Sequence, residues 1–504
     1  MGRQTLWHIV LIIVFVLIGY ELIKKGFFAY PYFKILSESN KTVEKLIIAP
    51  RGVLYDRDGR LLVGNKTIST SAITRTYAYP KATSHLLGYL SLPNDTDLKD
   101  YSCGAPALTT QLVGKTGLEK YYECRLRGRT GSVLYEVDAQ GKTRGELAQN
   151  EPQDGENITL SISLPLQRAA EKAFGKQRGA IIASNPKTGE ILLFYSSPTY
   201  DPGIFVQKDG SQYQSVANDP DRPLFNRLTS GTYPPGSTIK PFVAISALEE
   251  SVITLDTEFE DTGIFKLGGS SFGNWYYLQY GKKEGAVNVE RAIIRSNDIF
   301  FYQTGLKLGV EHLKSWLHTF RLDETDIKPY FSESTGVIPD EAWKMKALRE
   351  EWYSGDTVNM SIGQGYTLVN PVQLQAGTAL LANGGNYCKF RFEKDTPTHC
   401  ESLDLKQEYM SAVTKGMQGA CATGGTGWPF FDYAVKGKRI DVACKTGTAE
   451  SEQGEALPHA WFIAFAPVSD PEIAITVLVE NGGEGSSVAA PIAKDILTTY
   501  FSQK

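Results

Sequence analysis

Three short groups of residues, taken in chain order, carry the chemistry of this sequence: Ser237-Thr238-Ile239-Lys240, then Ser296-Asn297-Asp298, then Lys445-Thr446-Gly447-Thr448. Pro234-Pro235-Gly236 before Ser237 and Phe242-Val243-Ala244-Ile245 after Lys240 predict a helix that begins near Ser237. Residues three apart on a helix share one face, so the hydroxyl and the amine lie together. A helix N-terminus favours a developing alkoxide. A lysine removed from water gives up its proton more easily and serves as a base. A Ser–Lys pair at this spacing is common by chance. In order with the other two groups, it describes serine acyl transfer.

Lys-Thr-Gly occurs three times. Lys115-Thr116-Gly117 opens a helix, and Lys187-Thr188-Gly189 is a hairpin turn. Only Lys445-Thr446-Gly447 follows a strand-like Val442-Ala443-Cys444 and continues into Thr448. On an edge strand it presents an ammonium, two hydroxyls and open backbone N–H groups, a set suited to a carboxylate and an oxyanion. Gly447 lets a ligand approach the backbone. Ser296 and Asp298 sit in a polar trio between apolar runs. They read either as a proton relay or as a helix N-cap at one of the two positions.

These groups need a scaffold of more than one domain. The chain has 504 residues, a formal net charge of −4, and no basic run with interleaved aromatics, so nucleic acid is not an expected partner. Leu6 to Ile18 is apolar apart from His8 and continues less cleanly to Ile23, close to the roughly 20 residues that cross a bilayer. No small-residue cleavage site follows it, which favours an uncleaved anchor over a signal peptide. Lys24, Lys25, Lys34, Lys41 and Lys45 follow the helix and Arg3 precedes it, a count that runs mildly against export. Large domains translocate largely regardless of such charges, and the expected location is outside the membrane. The six cysteines form no zinc pattern. In an exported chain they suggest neighbour pairing as Cys103–Cys124, Cys388–Cys400 and Cys421–Cys444, with buried free thiols as the alternative.

Gly26 to Lys45 is expected to be a helical stalk. Ile47 to Leu62 reads as two short strands about a turn at Asp58-Gly59. Leu112 to Arg127 has helical spacing, and Thr130 to Glu146 reads as strand, turn at Gln140-Gly141, strand. From Ile158 to Ile162 the residues alternate like a strand. Ser163 is then expected to cap a helix from Pro165 to Phe174. A hairpin spans Gly179 to Tyr195. His459 to Ala466 and Glu472 to Val479 are strand-like, and Ala489 to Tyr500 is helical. Strands at both ends with helices between predict one antiparallel sheet of sequence-distant strands with helices packed on it. The expected division is an anchor at 1–24, a stalk at 25–46, a structural module at 47–155 and a catalytic domain at 156–504.

At these residues the chain resembles the class B penicillin-binding proteins, the peptidoglycan transpeptidases of the serine acyltransferase group. Pro50-Arg51-Gly52 with Asp56-Arg57-Asp58-Gly59 resembles the pedestal signature of that family. Gly114 to Lys120 and Leu126-Arg127-Gly128 resemble its next block. Gly179 to Ala183, Ser197 to Pro202, Ser361-Ile362-Gly363-Gln364-Gly365 and His459 to Pro467 resemble its transpeptidase domain. The resemblance implies an α+β fold: a penicillin-binding, serine β-lactamase-like transpeptidase domain on a mixed pedestal (dimerisation-type) module, behind one transmembrane helix. It implies Ser237 as the acylated nucleophile, Lys240 as its base and Ser296 as relay, with Asp298 and Lys445 in the catalytic set. It assigns Lys445, Thr446 and Thr448 to the substrate carboxylate, Gly447 and Gln364 to substrate contact, and the N–H groups of Ser237 and Thr448 to the oxyanion hole. It implies D-Ala-D-Ala stem peptides as substrate, β-lactams as covalent inhibitors, a SEDS-family glycan polymerase as partner, and neither metal nor cofactor.

Two departures stand out. Many members carry Asn where this chain has Asp298, and Asp there resembles the cell-elongation subgroup. The family also inserts a head region after the pedestal signature, whereas Asn65 here runs almost directly to Ala78-Tyr79-Pro80. The competing readings are a β-lactam hydrolase or sensor with the same serine and lysine, and a scaffold that activates a glycan polymerase. His459 is expected to be structural.

Overall fold

The computed structural model describes residues 2–39, 41–69, 72–138, 140–206, 210–450 and 457–504. The chain forms two compact units, one of Met1–Gly52, Thr67–Thr74 and Arg125–Glu156, the other of Val53–Lys66, Arg75–Cys124 and Asn157–Lys504.

The first unit begins with the helix Arg3–Ile23, continued by a π-helical turn at Lys24–Phe28. Its apolar stretch is long enough to cross a membrane. A helix follows at Tyr30–Ser39, but the chain then becomes the strand Thr42–Ile47. The expected helical stalk therefore ends early. Residues from Thr42 to Ile47 pair antiparallel with Gly131–Val137, which pairs in turn with Thr143–Asn150. Tertiary pairing overrides the local helical pattern there. The turn at Gln140-Gly141 forms with Gly141 at positive φ, and its neighbour, residue 139, lies outside the described residues.

In the second unit, Leu54–Tyr55 pairs with Leu61–Ser69 across a turn at Asp58-Gly59, with Gly59 at φ +80°. Residues 70 and 71, at the junction of Leu61–Ser69 with the next strand, Ala72–Tyr77, lie outside the described residues. The helix expected over Leu112 to Arg127 is broken into a strand at Val113–Gly114 and short helices at Gly117–Tyr121 and Glu123–Leu126. Gly114 packs so closely on Glu119 that a Cβ would stand 2.2 Å from its carbonyl oxygen, which no continuous helix permits. The expected strand from Ile158 shortens to Ile158–Thr159, parallel to Leu54–Tyr55. The helix Leu164–Phe174 follows Ser163, but the Ser163 side chain does not cap it. Asp56 does, accepting from the Leu164 N–H at 3.2 Å. A carboxylate at a helix N-terminus is the stronger partner.

The core is one antiparallel sheet of five strands, in the order Ile191–Ser197, Gly179–Ser184, Ile473–Val479, His459–Ala466, Ala443–Ala449. On one face Ile181, Ala183, Ile475, Val477, Phe462 and Ala464 pack with Leu166, Ala170, Phe174, Ile492 and Ile496 of the helices Leu164–Phe174 and Ala490–Ser502. On the other face Gln375, from the helix Pro371–Ala382, donates to Ser184 Oγ and Ala474 O and accepts from Thr476. Both faces are covered, so the inner strands read as unbroken apolar runs rather than alternating ones.

All six cysteines are paired, as Cys103–Cys124, Cys388–Cys400 and Cys421–Cys444. The last pair joins the C-terminal end of the helix Gln407–Ala420 to the residue just before Lys445.

Candidate active site

Ser237 lies in a single 3-10 turn, Gly236–Ile239, that runs straight into the helix Lys240–Glu249. Two features hold that turn. Gly236, at φ +54°, donates its N–H to Gly363 O at 2.9 Å, and Trp461 Nε1 donates to Pro234 O at 2.9 Å. The turn abuts the edge strand: a Cβ on Gly236 would stand 2.9 Å from Thr448 O, and one on Gly447 would stand 2.8 Å from Thr238 Cγ2. Both positions therefore need glycine. Ser237 is half-buried, while Lys240 is fully buried.

Lys240 Nζ donates to Asp298 Oδ1 at 2.6 Å, to Ser296 O at 2.8 Å and to Ser296 Oγ at 3.3 Å. None of these bonds goes to Ser237. Lys445, also fully buried, donates to Ser296 Oγ at 2.8 Å and to Thr446 O at 3.0 Å. Burial pushes the Lys240 ammonium below the ordinary lysine range, partly opposed by Asp298. Lys445 is pushed well below it, by burial first and by the charge of Lys240 second. Two lysines share one carboxylate here, so loss of one proton leaves a neutral set. That is the state in which one amine can take a proton.

Neither Ser296 nor Asp298, the two N-cap positions the sequence offers, N-caps a helix here. Ser296 closes the helix Val289–Arg295 in a left-handed conformation, φ 54° and ψ 36°. Asn297 caps the next helix, Asp298–Thr319, by accepting from the Phe300 N–H at 3.0 Å. From the left-handed Ser296 the hydroxyl lies within hydrogen-bond reach of both amines.

Among the described residues, the edge strand Ala443–Ala449 pairs within the sheet with His459–Ala466 alone. Alternation puts Lys445 on one face and Thr446 and Thr448 on the other. The amine of Lys445 thus reaches Ser296 from the face opposite the threonines, a division that the expected three-residue carboxylate site did not anticipate. Thr446 Oγ1 donates to Thr426 Oγ1 at 2.8 Å. Gln364 Nε2 donates to Thr448 O at 3.3 Å. That carbonyl points away from the sheet, so the N–H of Thr448 points the same way. His459 accepts from the Asn481 N–H at 3.1 Å and stands edge-on to Tyr233, a structural placement.

Residues outside the three motifs also reach the site. The Trp275 N–H donates to Asp298 Oδ2 at 3.0 Å, and Asn274 Oδ1 accepts from the Asp298 N–H at 3.2 Å. Their sequence, Gly273-Asn274-Trp275, carries no acyl-transfer signature, and only the fold brings them to Asp298.

Residues 179–498 match the family model described as the penicillin binding protein transpeptidase domain. The chain belongs to that family. A second model, the penicillin-binding protein dimerisation domain, matches residues 68–160. This penicillin-binding protein is 34% identical over 443 residues to the peptidoglycan D,D-transpeptidase MrdA of Escherichia coli, covering 82% of this chain and 69% of that one. The crystal structure of Pseudomonas aeruginosa PBP2 in complex with WCK 5153 is similar at a TM-score of 0.78 and 34% identity, over 91% of this chain and 96% of that one. The complex of PBP2 with MreC from Helicobacter pylori is similar at a TM-score of 0.81 and 27% identity, over 91% of this chain and 99% of that one.

Proposed function

We propose that this penicillin-binding protein is a class B, elongation-type D,D-transpeptidase that crosslinks peptidoglycan stem peptides through an ester on Ser237. The observation that carries the reading is the convergence of two buried lysines on Ser296, beside a half-exposed serine at a helix start. The matched family and the activity named for the Escherichia coli relative support it.

In this reading Ser237 Oγ attacks the carbonyl carbon of the penultimate D-Ala and passes its proton to Lys240. Negative charge gathers on the carbonyl oxygen, facing the N–H groups of Ser237 and Thr448. The C–N bond breaks, the departing D-Ala amine takes a proton through Ser296, and an ester remains. An amine of a neighbouring stem then attacks the ester, and Ser237 leaves with a proton. Asp298 holds Lys240, and Lys445 sets the charge at Ser296. Thr446 and Thr448 receive the substrate carboxylate, with Gln364 steadying the strand and Gly447 allowing close approach. β-Lactams enter as mimics of the donor.

Residues 1–24 are read as the anchor, the chain from 25 to the helix end at Ser39 as the stalk, the segment from the strand Thr42–Ile47 to 155 as the pedestal, and 156–504 as the transpeptidase domain, which faces outward from a single-pass segment. A SEDS-family glycan polymerase is the partner. The Helicobacter pylori relative is known in complex with MreC, which supports protein partners for this chain too.

The test is labelling of the purified protein by a fluorescent penicillin, wild type beside Ser237→Ala. A slowly decaying adduct, absent in the variant, is expected. Rapid decay would favour a hydrolase, and a folded wild type that takes no label would favour a scaffold.

A further inference from the structure

Behind the proton-handling set lies a fully buried carboxylate with no part in the chemistry above. Asp261 ends the strand Phe259–Asp261, which pairs with Gly285–Val287, and it is 1% exposed. No cation bonds it. Four N–H groups converge on it instead. Oδ1 accepts from the Gly263 N–H at 2.8 Å. Oδ2 accepts from Asn274 Nδ2 at 2.8 Å, from Asn297 Nδ2 at 3.1 Å and from the Glu284 N–H at 3.1 Å. Neutral N–H donors of this kind satisfy the oxygens of a buried carboxylate.

The direction of these bonds matters. An ionised carboxylate only accepts, so both asparagines must turn their NH2 groups toward Asp261. Their amide oxygens then face the other way. Asn274 Oδ1 takes the N–H of Asp298, and Asn297 Oδ1 takes the N–H of Phe300. Both are in the first turn of the helix that carries Asp298. Asn274 also precedes Trp275, whose N–H holds Asp298 Oδ2. One buried carboxylate thus fixes two amides, and the two amides fix the turn in which Ser296 and Asp298 meet Lys240. The nearest link is a single residue wide, because Asn297 stands between Ser296 and Asp298.

We propose that Asp261 is a positioning residue for acylation, acting through Asn274 and Asn297 on the Ser296-Asn297-Asp298 turn. This inference rests on the acyl-enzyme reading above. Asp261 touches neither substrate nor the reacting atoms. Its effect is to hold Asp298 Oδ1 at 2.6 Å from the Lys240 amine and Ser296 Oγ between the two lysines. Asp261→Asn keeps the shape but puts an NH2 group either against Asn274, Asn297 and the Glu284 N–H or, flipped, against the Gly263 N–H. In the first orientation both asparagine amides must rotate, each presenting an NH2 group to a backbone N–H of the helix start; in the flipped one Gly263 is displaced, and its carbonyl holds the Asn274 N–H at 2.8 Å.

The test uses the full chain in detergent. The dependence of acylation rate on fluorescent-penicillin concentration separates the non-covalent dissociation constant from the acylation rate at saturation. For Asp261→Asn we expect a melting transition to persist, the dissociation constant to stay unchanged and the saturating rate to fall about 100-fold, the scale of a misplacement of roughly 1 Å. A purely structural role would not split the two constants. A folded variant that acylates at the wild-type rate overturns the proposal, as does a loss shared equally by both constants. If Asp261→Asn does not fold, Asn274→Ala cuts only the arm to the Asp298 N–H and should show the same split; a wild-type rate there overturns the proposal. A wild type that takes no label would overturn the acyl-enzyme reading and this inference with it. A labelled wild type beside an equally fast variant removes this inference alone.

Discussion

Lys240 and Lys445 donate to the same oxygen, Ser296 Oγ, at 3.3 and 2.8 Å, although they come from a helix and a strand 205 positions apart in the chain. Two ammonium groups cannot share one hydroxyl in a buried site at low cost, since like charges disfavour each other's charged form. The oxygen between them is where a proton can pass from one side of the site to the other.

Acylation is therefore expected to rise with pH through a value below the ordinary lysine range of about 10.4. Both lysines have lowered affinity for protons in the fold. The unfolded chain binds more protons across the window between the lowered and the ordinary value, so stability also rises with pH there and is lost as pH falls through the lowered value. A pH series of penicillin acylation rates checks the first point, and thermal melts over the same series check the second. A flat acylation profile from neutral to alkaline pH would contradict this.

Asp298→Asn should shift that profile. Asp298 spans Lys240 with Oδ1 and the Trp275 N–H with Oδ2. An amide offers an acceptor to only one of them and turns an NH2 group on the other, at a cost of about 1–3 kcal/mol. Losing the carboxylate also removes the charge that raises the proton affinity of Lys240. The rising limb of acylation should move to lower pH, with a lower plateau, as read by the same labelling assay.

Gly363→Ala should cripple acylation without touching a reactive atom. Gly363 lies at φ +72°, and a Cβ there would stand 2.4 Å from Gly236 O, the residue before Ser237. Left-handed backbone costs a non-glycine residue roughly 1–2 kcal/mol, and the overlap adds to it by displacing the turn that carries Ser237. Labelling rate and melting temperature should both drop, the rate by more than the melting shift explains.

Removing the Cys421–Cys444 bridge by a double serine substitution should cost about 3 kcal/mol, the value for a loop of its size. The bridge spans a sequence separation of 23 and ends beside Lys445. We expect a slower acylation in the surviving folded fraction, whereas the Cys103–Cys124 double substitution should lower the melting temperature alone. Melts and labelling of both variants decide it.

Much of the site was legible in the sequence because its parts are local. A serine and a lysine three apart at a helix start, an edge strand with Lys445-Thr446-Gly447, and a polar trio between apolar runs are each set by neighbours in the chain. The same holds for the hairpin Gly179–Ser184 with Ile191–Ser197 and for the strands His459–Ala466 and Ile473–Val479, whose apolar runs admit few other states. Where the expectation failed, a distant partner decided. Thr42–Ile47 became a strand because Gly131–Val137 was there to pair with it. Ser163 lost its cap to Asp56, 107 positions earlier in the chain.

What the sequence by itself determined, then, was the set of groups available: a serine hydroxyl at a helix start, two amines, a carboxylate and the segments that carry them. What only the tertiary structure decided was their wiring. Lys240 faces Ser296 and Asp298 and makes no bond to Ser237, Lys445 parts from Thr446 and Thr448 across the strand, and Asn297 rather than its neighbours caps the helix. Hydrogen bonds and burial depend on distances between segments far apart in the chain. No local pattern encodes the four donors around Asp261, which become one network only when strand, loop and helix close on the same buried point.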